Sequence, residues 1–233
     1  MRLSRRNFLL LSAASTLAAG CTTRSRTTSN EAALTDTVHA IITEYGFPGM
    51  TAAIAGPEGV ATSAAGFANL ETAESMTTST TMLAASIGKT FVAAVLLQLA
   101  DEGALGLDDL LGQWLGDRRW FEQLPNGDDI TLRHLLQHRS GLPDHVHLDA
   151  FTTLWPDKAD TVSPEELIAL TFTEEPQFFP GKGWSYTDTG YLLLGLVIEV
   201  VTGNSYCDTV GERFIIPLGL ESTGPSNQRN LPR

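Results

Sequence analysis

The sequence predicts an α/β (α+β) fold in which an antiparallel sheet segment, residues 31–80, precedes a mostly helical portion, residues 81–233. Two short apolar runs, 50–55 and 60–67, flank the turn-forming tetrapeptide Gly-Pro-Glu-Gly at 56–59, and this pattern is typical of a β-hairpin. Longer apolar runs follow, and their length favours helices. Since two strands alone do not make a stable sheet, we expect the hairpin to need further strands.

The predicted helices are marked by apolar runs and by their boundary residues. Apolar positions at helical spacing, or unbroken over a helical length, predict helices at 31–45, 90–99, 130–137 and 190–201. Ser163, followed by Pro164 and two glutamates, has the composition of a capped helix start, and that helix is predicted to run to Phe172. The dipeptide Thr-Gly at 202–203 ends the last helix.

The composition is that of an ordinary globular chain with an acidic surface. Of the 233 residues, 42% are hydrophobic and 18% are charged, which supplies ample apolar material for a core. The formal net charge is −12, and an acidic surface repels phosphate backbones, so we expect no nucleic-acid partner. No stretch of about 20 apolar residues follows the first twenty positions, so no transmembrane helix is expected there.

The first residues have the composition of an export signal. Arg5 and Arg6 precede a short apolar run, and the surrounding sequence resembles a twin-arginine signal. The run leads into Leu-Ala-Ala-Gly-Cys, which resembles a lipoprotein processing box that would leave a lipidated Cys21 at the new amino terminus. The alternative is a plain signal peptide with an incidental cysteine. We expect residues 1–21 to direct export to the periplasm or cell envelope, 22–30 to form a polar tether, and membrane attachment to occur only through Cys21.

The first candidate for catalysis is a Ser-x-x-Lys pattern formed by Ser86 and Lys89. Residues three apart share one face of a helix, so the pattern predicts the lysine amine beside the serine hydroxyl. Burial against the apolar residues that follow Lys89 would disfavour its charged form and lower its pKa. The backbone amide of Ser86 is placed to stabilise an oxyanion. The pattern alone is equally consistent with an incidental capping serine and a surface lysine.

A group of histidines offers a metal-binding alternative. Four of them fall close together: His134, His138, His145 and His147. The first two have the i, i+4 spacing of zinc-binding helices, but no glutamate lies between them, and Gly-Leu-Pro at 141–143 breaks the helix. Histidines that pack and cap a turn would explain the same residues, and we expect no metal.

Five segments of the chain resemble, in order, the landmarks of one family. They are residues 82–99, 103–109, 130–143, 179–191 and 217–220. Together they resemble the beta-lactamase-related serine hydrolases, which include class C beta-lactamases, D-alanyl-D-alanine peptidases and esterases. The resemblance covers residues 31–225 and implies a beta-lactamase/transpeptidase-like fold, with an antiparallel sheet beside an all-helical domain.

The resemblance implies roles for four residues. Ser86 would be the acylated nucleophile, Lys89 its base, and Tyr186 a proton shuttle between them. Asp188 stands where the family usually has the asparagine of Tyr-x-Asn and would contact the substrate, although a carboxylate only accepts hydrogen bonds. Asp188 could instead hold Lys89, which would raise the pKa of the lysine and weaken it as a base.

The resemblance also implies an activity. The family's third motif, Lys-Thr-Gly or His-x-Gly, does not occur after Tyr186, so we expect a truncated chain without the carboxyl-terminal sheet strands. The expected function is that of a serine hydrolase that forms an acyl-enzyme without a cofactor. Its substrate would be a small ester or a peptidoglycan-type peptide, ahead of a beta-lactam because of Asp188. The alternative is a non-catalytic cell-envelope lipoprotein that keeps the penicillin-binding-like fold.

Overall fold

The computed structural model describes residues 30–57, 59–154 and 162–226. The chain divides into two compact units, the second of which begins at Leu83. The predicted export signal, the lipidation site Cys21 and nearly all of the predicted tether lie outside the described residues.

The first unit combines one helix with a small antiparallel sheet. Helix α1 occupies residues 30–45, and strands β1 (Gly49–Gly56), β2 (Gly59–Asn69) and β3 (Glu74–Ser75) follow in the spatial order β1-β2-β3. The predicted helix is confirmed, and β1 and β2 form the predicted antiparallel hairpin. The third strand is not evident in the sequence because two residues are too few to show an alternating pattern.

Small residues let the hairpin close tightly and pack against α1. Gly66 has a φ of +82°, and a Cβ there would lie 2.3 Å from the carbonyl oxygen of Pro48, so glycine is required. Along the middle of β2, small buried side chains alternate with more exposed ones. One of the buried side chains, Ser63, donates a hydrogen bond to the hydroxyl of Thr35 on α1 at 3.1 Å.

The second unit is helical. Its helices are α2 (Lys89–Asp101), α3 (Gly112–Leu115), α4 (Leu132–Leu136), α5 (Asp149–Leu154), α6 (Pro164–Ala169), α7 (Asp188–Thr202) and α8 (Tyr206–Val210). A 3₁₀ turn, Ala85–Gly88, precedes α2, and one turn of π-helix, Gly211–Ile215, follows α8. Helix α7 packs against α2, α3, α4, α6 and α8, so it forms the centre of this unit.

The central position of α7 explains its almost entirely apolar sequence. Its buried hydrophobic residues are Leu193, Leu194, Leu196, Val197 and Ile198. A helix that is enclosed by neighbours buries most of its circumference, so it does not show a single apolar stripe. Among the described residues no single helix is long and apolar enough to cross a membrane; α7 and the helical turns of 206–215 meet the length and composition criteria only as a pair bent by 78°.

Two short helices begin at reciprocal caps. Thr131 caps α4 by accepting from the backbone N–H of His134, whose ring accepts from the backbone N–H of Thr131. Ser163 and Glu166 form the same arrangement at α6, which confirms the predicted start of that helix. The helix ends at Ala169 rather than Phe172, because the chain continues there in i→i−3 turns.

Two adjacent leucines of α2 allow a test of the core. Leu96 is fully buried and Leu97 is 54% exposed. We expect Leu96→Ala to lower the free energy of unfolding by about 2–5 kcal/mol, because it removes buried apolar surface and leaves a cavity. Leu97→Ala, the matched control, should change it by about 0.5 kcal/mol or less. Urea unfolding measures both, and equal losses would contradict the assignment of this helix face.

Candidate active site

The Ser-x-x-Lys pattern lies at the junction of a 3₁₀ turn and a helix. Ser86 is in the turn Ala85–Gly88, and Lys89 is the first residue of α2, so the pair does not lie within one α-helix as the spacing predicts. Residues i and i+3 of a 3₁₀ turn eclipse each other, which still brings Lys89 Nζ to 3.4 Å from Ser86 Oγ. Ala85 has a φ of +45°, in a region that non-glycine residues rarely adopt and that occurs often at functional sites.

The segment before α7 brings a third group to the serine. The phenol of Tyr186 donates a hydrogen bond to Ser86 Oγ at 2.7 Å, across a separation of 100 residues. The structure therefore brings together the three residues predicted to be catalytic. All three lie in the second unit.

Asp188, the first residue of α7, contacts Lys89 directly. Its carboxylate forms an ion pair with Lys89 Nζ. The lysine side chain is only 16% exposed, and this burial disfavours its charge, but the hydrogen bonds and charges of Asp188 and Tyr186 outweigh burial and raise the pKa of Lys89. The expectation that burial leaves Lys89 with a lowered pKa is therefore wrong, and the alternative in which Asp188 holds Lys89 and raises its pKa describes the site. A substrate contact for Asp188 stays a prediction.

Two aromatic rings add to the environment of the lysine. Lys89 Nζ lies 5.0 Å from the ring centroid of Tyr186 and 5.5 Å from that of Tyr191, which is within the range of cation–π attraction. Tyr191 donates its phenol to the backbone carbonyl of Leu136 at 3.0 Å, and burial raises the pKa of that phenol. Both rings therefore favour a charged lysine.

Asp144 is a buried carboxylate that the sequence analysis did not identify. It accepts from the backbone N–H of Asp188 at 3.1 Å and from that of Val146 at 3.4 Å, so it caps the start of α7 next to the ion pair. Its bond to Val146 follows a common local capping pattern. Nothing in the sequence marks its partner 44 residues away.

The histidines of the metal-binding alternative are engaged in separate contacts. His134 caps α4, His145 shares a 3.0 Å hydrogen bond with the hydroxyl of Thr189, and the side chain of His147 is 81% exposed. His138 stacks on Tyr186. Within residues 30–57, 59–154 and 162–226, no group of three or more His, Cys, Asp or Glu side chains could hold a metal ion. The packing and capping interpretation describes His134, His138 and His145.

The fold and this geometry agree with a comparison to known families. Residues 33–229 match the family model described as Beta-lactamase. The chain belongs to the beta-lactamase family. This membership confirms the family predicted from the five ordered segments, and it confirms the beta-lactamase/transpeptidase-like fold.

Some relatives of this beta-lactamase family chain are named as peptidases or amidohydrolases. It is 31% identical to penicillin-binding protein 4* of Bacillus subtilis, over 72% of this chain and 35% of that protein. It is 31% identical to D-aminopeptidase of Brucella anthropi, over 74% of this chain and 32% of that protein. The solved D-stereospecific amidohydrolase from Streptomyces sp. is 34% identical, with a TM-score of 0.69 over 82% of this chain and 55% of that one. The chain thus spans about a third of the length of these curated relatives.

Replacing Asp188 tests the origin of the charged lysine. In Asp188→Asn we expect the pKa of Lys89 to fall, because the carboxylate charge is lost while burial of the amine remains. Lysine side-chain NMR measures this titration, and Lys89→Arg assigns the resonance. Asp101→Asn, which removes an exposed carboxylate at the end of α2, is the matched control. An unchanged pKa in Asp188→Asn would contradict the proposed origin.

Three partly buried histidines predict a loss of stability on acidification. Burial lowers the pKa of His134, His138 and His145 below the ordinary 6.5. The unfolded chain therefore binds protons before the folded chain does, so the free energy of unfolding falls as the pH drops below 6.5.

The measurement is the urea midpoint between pH 7.5 and pH 5. His145→Asn should flatten this dependence, whereas His39→Asn, at an exposed position of α1, should leave it unchanged. A midpoint that is constant across this range in the unsubstituted chain would refute the prediction.

Proposed function

We propose that this chain is a serine hydrolase that forms an acyl-enzyme at Ser86. The observation that carries the proposal is the convergence of the Tyr186 phenol, at 2.7 Å, and of Lys89 Nζ, at 3.4 Å, on Ser86 Oγ. Hydroxyl nucleophiles are weak until a neighbouring base accepts their proton, and these groups are within reach to do so. Membership of the beta-lactamase family supports the same chemistry.

We infer that Tyr186 rather than Lys89 accepts the serine proton, and the ion pair of Lys89 with Asp188 supports this. Since Asp188 and Tyr186 raise the pKa of Lys89, the amine keeps its proton and is a poor base. The Tyr186 oxygen lies closer to Ser86 Oγ than Lys89 Nζ does, at 2.7 Å against 3.4 Å. In the proposed step Tyr186 first gives up its phenol proton to solvent, its hydrogen bond with Ser86 reverses, and the phenolate oxygen accepts the serine proton.

Acylation and deacylation then proceed as two half-reactions. Ser86 Oγ attacks the substrate carbonyl carbon, the bond from that carbon to its nitrogen or oxygen leaving atom breaks, and Tyr186 returns the proton to the leaving group. Water attacks the resulting ester, with Tyr186 again accepting a proton, and the acid product leaves while Ser86 regains its hydrogen. No redox partner is involved.

The substrate class proposed is a small amide, ester or peptide that contains a D-residue, including a peptidoglycan-type peptide. The names D-aminopeptidase and D-stereospecific amidohydrolase among the relatives support it. A beta-lactam ranks below these, because the Asp188 carboxylate accepts hydrogen bonds only and is engaged by Lys89. We also propose that the protein is exported and lipid-anchored through Cys21, which the resemblance of residues 1–21 to a signal supports.

Covalent labelling tests the nucleophile. We expect purified chain treated with a fluorophosphonate to gain the mass of one adduct, and Ser86→Ala to gain none, because Oγ is the attacking atom. Ser222→Ala, at an exposed position, is the matched control and should label like the unsubstituted chain. Intact-mass spectrometry reads the adduct, and a parallel incubation with a fluorescent penicillin compares ester-type with lactam chemistry.

Two outcomes of the labelling experiment would contradict the proposal. If folded chain, verified by circular dichroism, takes up neither reagent, the hydrolase proposal fails and the non-catalytic lipoprotein becomes the better description. If Ser86→Ala still labels, another nucleophile is responsible.

A further inference from the structure

His138 has a left-handed backbone conformation, which non-glycine residues seldom adopt. It follows α4, where the last helical hydrogen bonds end, and has a φ of +56°. Glycine or asparagine usually fills this left-handed position after a helix, because other side chains are strained there. A strained residue persists when its surroundings hold it, and such residues are common at functional sites.

Two hydrogen bonds of His138 go to the residues immediately before and after Tyr186. The backbone carbonyl of His138 accepts from the N–H of Ser185 at 3.0 Å. Its ring Nδ1 accepts from the N–H of Thr187 at 3.3 Å. One residue therefore fixes the backbone immediately before and immediately after the tyrosine.

The imidazole ring also holds the phenol ring itself. Its centroid lies 4.4 Å from that of Tyr186, with 30° between the planes, and 5.1 Å from that of Tyr191. The ring of Trp184 lies edge-on to the imidazole, with 6.2 Å between the centroids. The orientation of the phenol that reaches Ser86 therefore depends on this ring.

The hydrogen bonds on both sides of Tyr186 require a neutral imidazole at position 138. Nδ1 accepts a hydrogen bond only when the proton is on Nε2, and a charged ring has donors at both nitrogens. Burial and the charge of Lys89 on α2 lower the pKa of His138, against the opposing charges of Asp188 on α7 and Asp144 before it. The two phenols that face the ring, Tyr186 and Tyr191, complete the titratable groups around it.

We propose that His138 is a positioning residue for Tyr186: its neutral ring and its carbonyl hold the phenol on Ser86, and protonation of the ring releases it. This inference rests on the hydrolase function proposed above. The pH at which activity is lost on acidification is then set by a residue that need not touch the substrate.

Two substitutions separate the contributions of the ring. His138→Asn keeps an acceptor near Nδ1 and tolerates a positive φ, but it does not titrate and has no ring to stack. His138→Phe keeps a ring but has no acceptor. His39→Asn, at an exposed histidine of the first unit, is the control.

The kinetic experiment measures the second-order rate constant of fluorophosphonate labelling of Ser86 between pH 4.5 and pH 8 in the full chain. We expect a loss of about tenfold or more in His138→Phe at pH 7.5, because a displaced phenol no longer reaches the hydroxyl. Below pH 6.5 the rate should fall more steeply in the unsubstituted chain and in His39→Asn than in His138→Asn, because only the first two have a titrating ring at position 138. An equally steep fall in His138→Asn, or a normal rate in His138→Phe, overturns the proposal.

An NMR titration tests the positioning role of His138 without measuring activity. With ¹⁵N-labelled histidine, we expect the Nε2–H tautomer for His138, and the Tyr186 ring resonances should move in step with its protonation. The positioning role is refuted if His138 is the Nδ1–H tautomer, or if the Tyr186 resonances do not change while His138 titrates. Absence of labelling in the unsubstituted chain would overturn the hydrolase function instead, so the two failures are distinguishable.

Discussion

The ion pair between Lys89 and Asp188 determines the electrostatics of the whole site. Each residue is the first of its helix, α2 and α7. A carboxylate is favoured at a helix N-terminus and an ammonium is not, so Asp188 compensates both the helix dipole and the burial of Lys89. The lysine consequently behaves as a fixed cation beside two phenols, and in the proposed mechanism the proton of Ser86 goes to Tyr186.

Burial of α7 gives that ion pair its fixed geometry. The helix is enclosed by five others, and its first turn is held by the buried carboxylate of Asp144 and by the contacts of Thr189 with His145. Close-packed interiors resist displacement, so the residues at the start of α7 have little freedom to move relative to α2. The rigid core of the second unit therefore supports the polar groups at its edge.

The sequence was sufficient to predict the local and ordered features of this chain. Its apolar runs located α1, the hairpin, α2 and α7, and the ordered segments identified the family, because these signals depend on neighbouring residues. It could not predict the sign of the Lys89 pKa shift, since burial and a carboxylate 99 residues away oppose each other and only geometry weighs them. Asp144 was missed as part of the active site, and His138 was considered only as a metal ligand, for the same reason: their decisive partners lie on a distant segment.

The distance along the chain between Ser86 and Tyr186 has a consequence for how the site comes into being. The lysine is three residues from the serine, so half of the site is already present once a single turn has formed. The phenol is 100 residues away, and it arrives only after a large loop has closed and α7 has docked. The reactivity proposed for this serine is thus a property of tertiary closure, and a partly folded or newly synthesised chain lacks the contact between Tyr186 and Ser86.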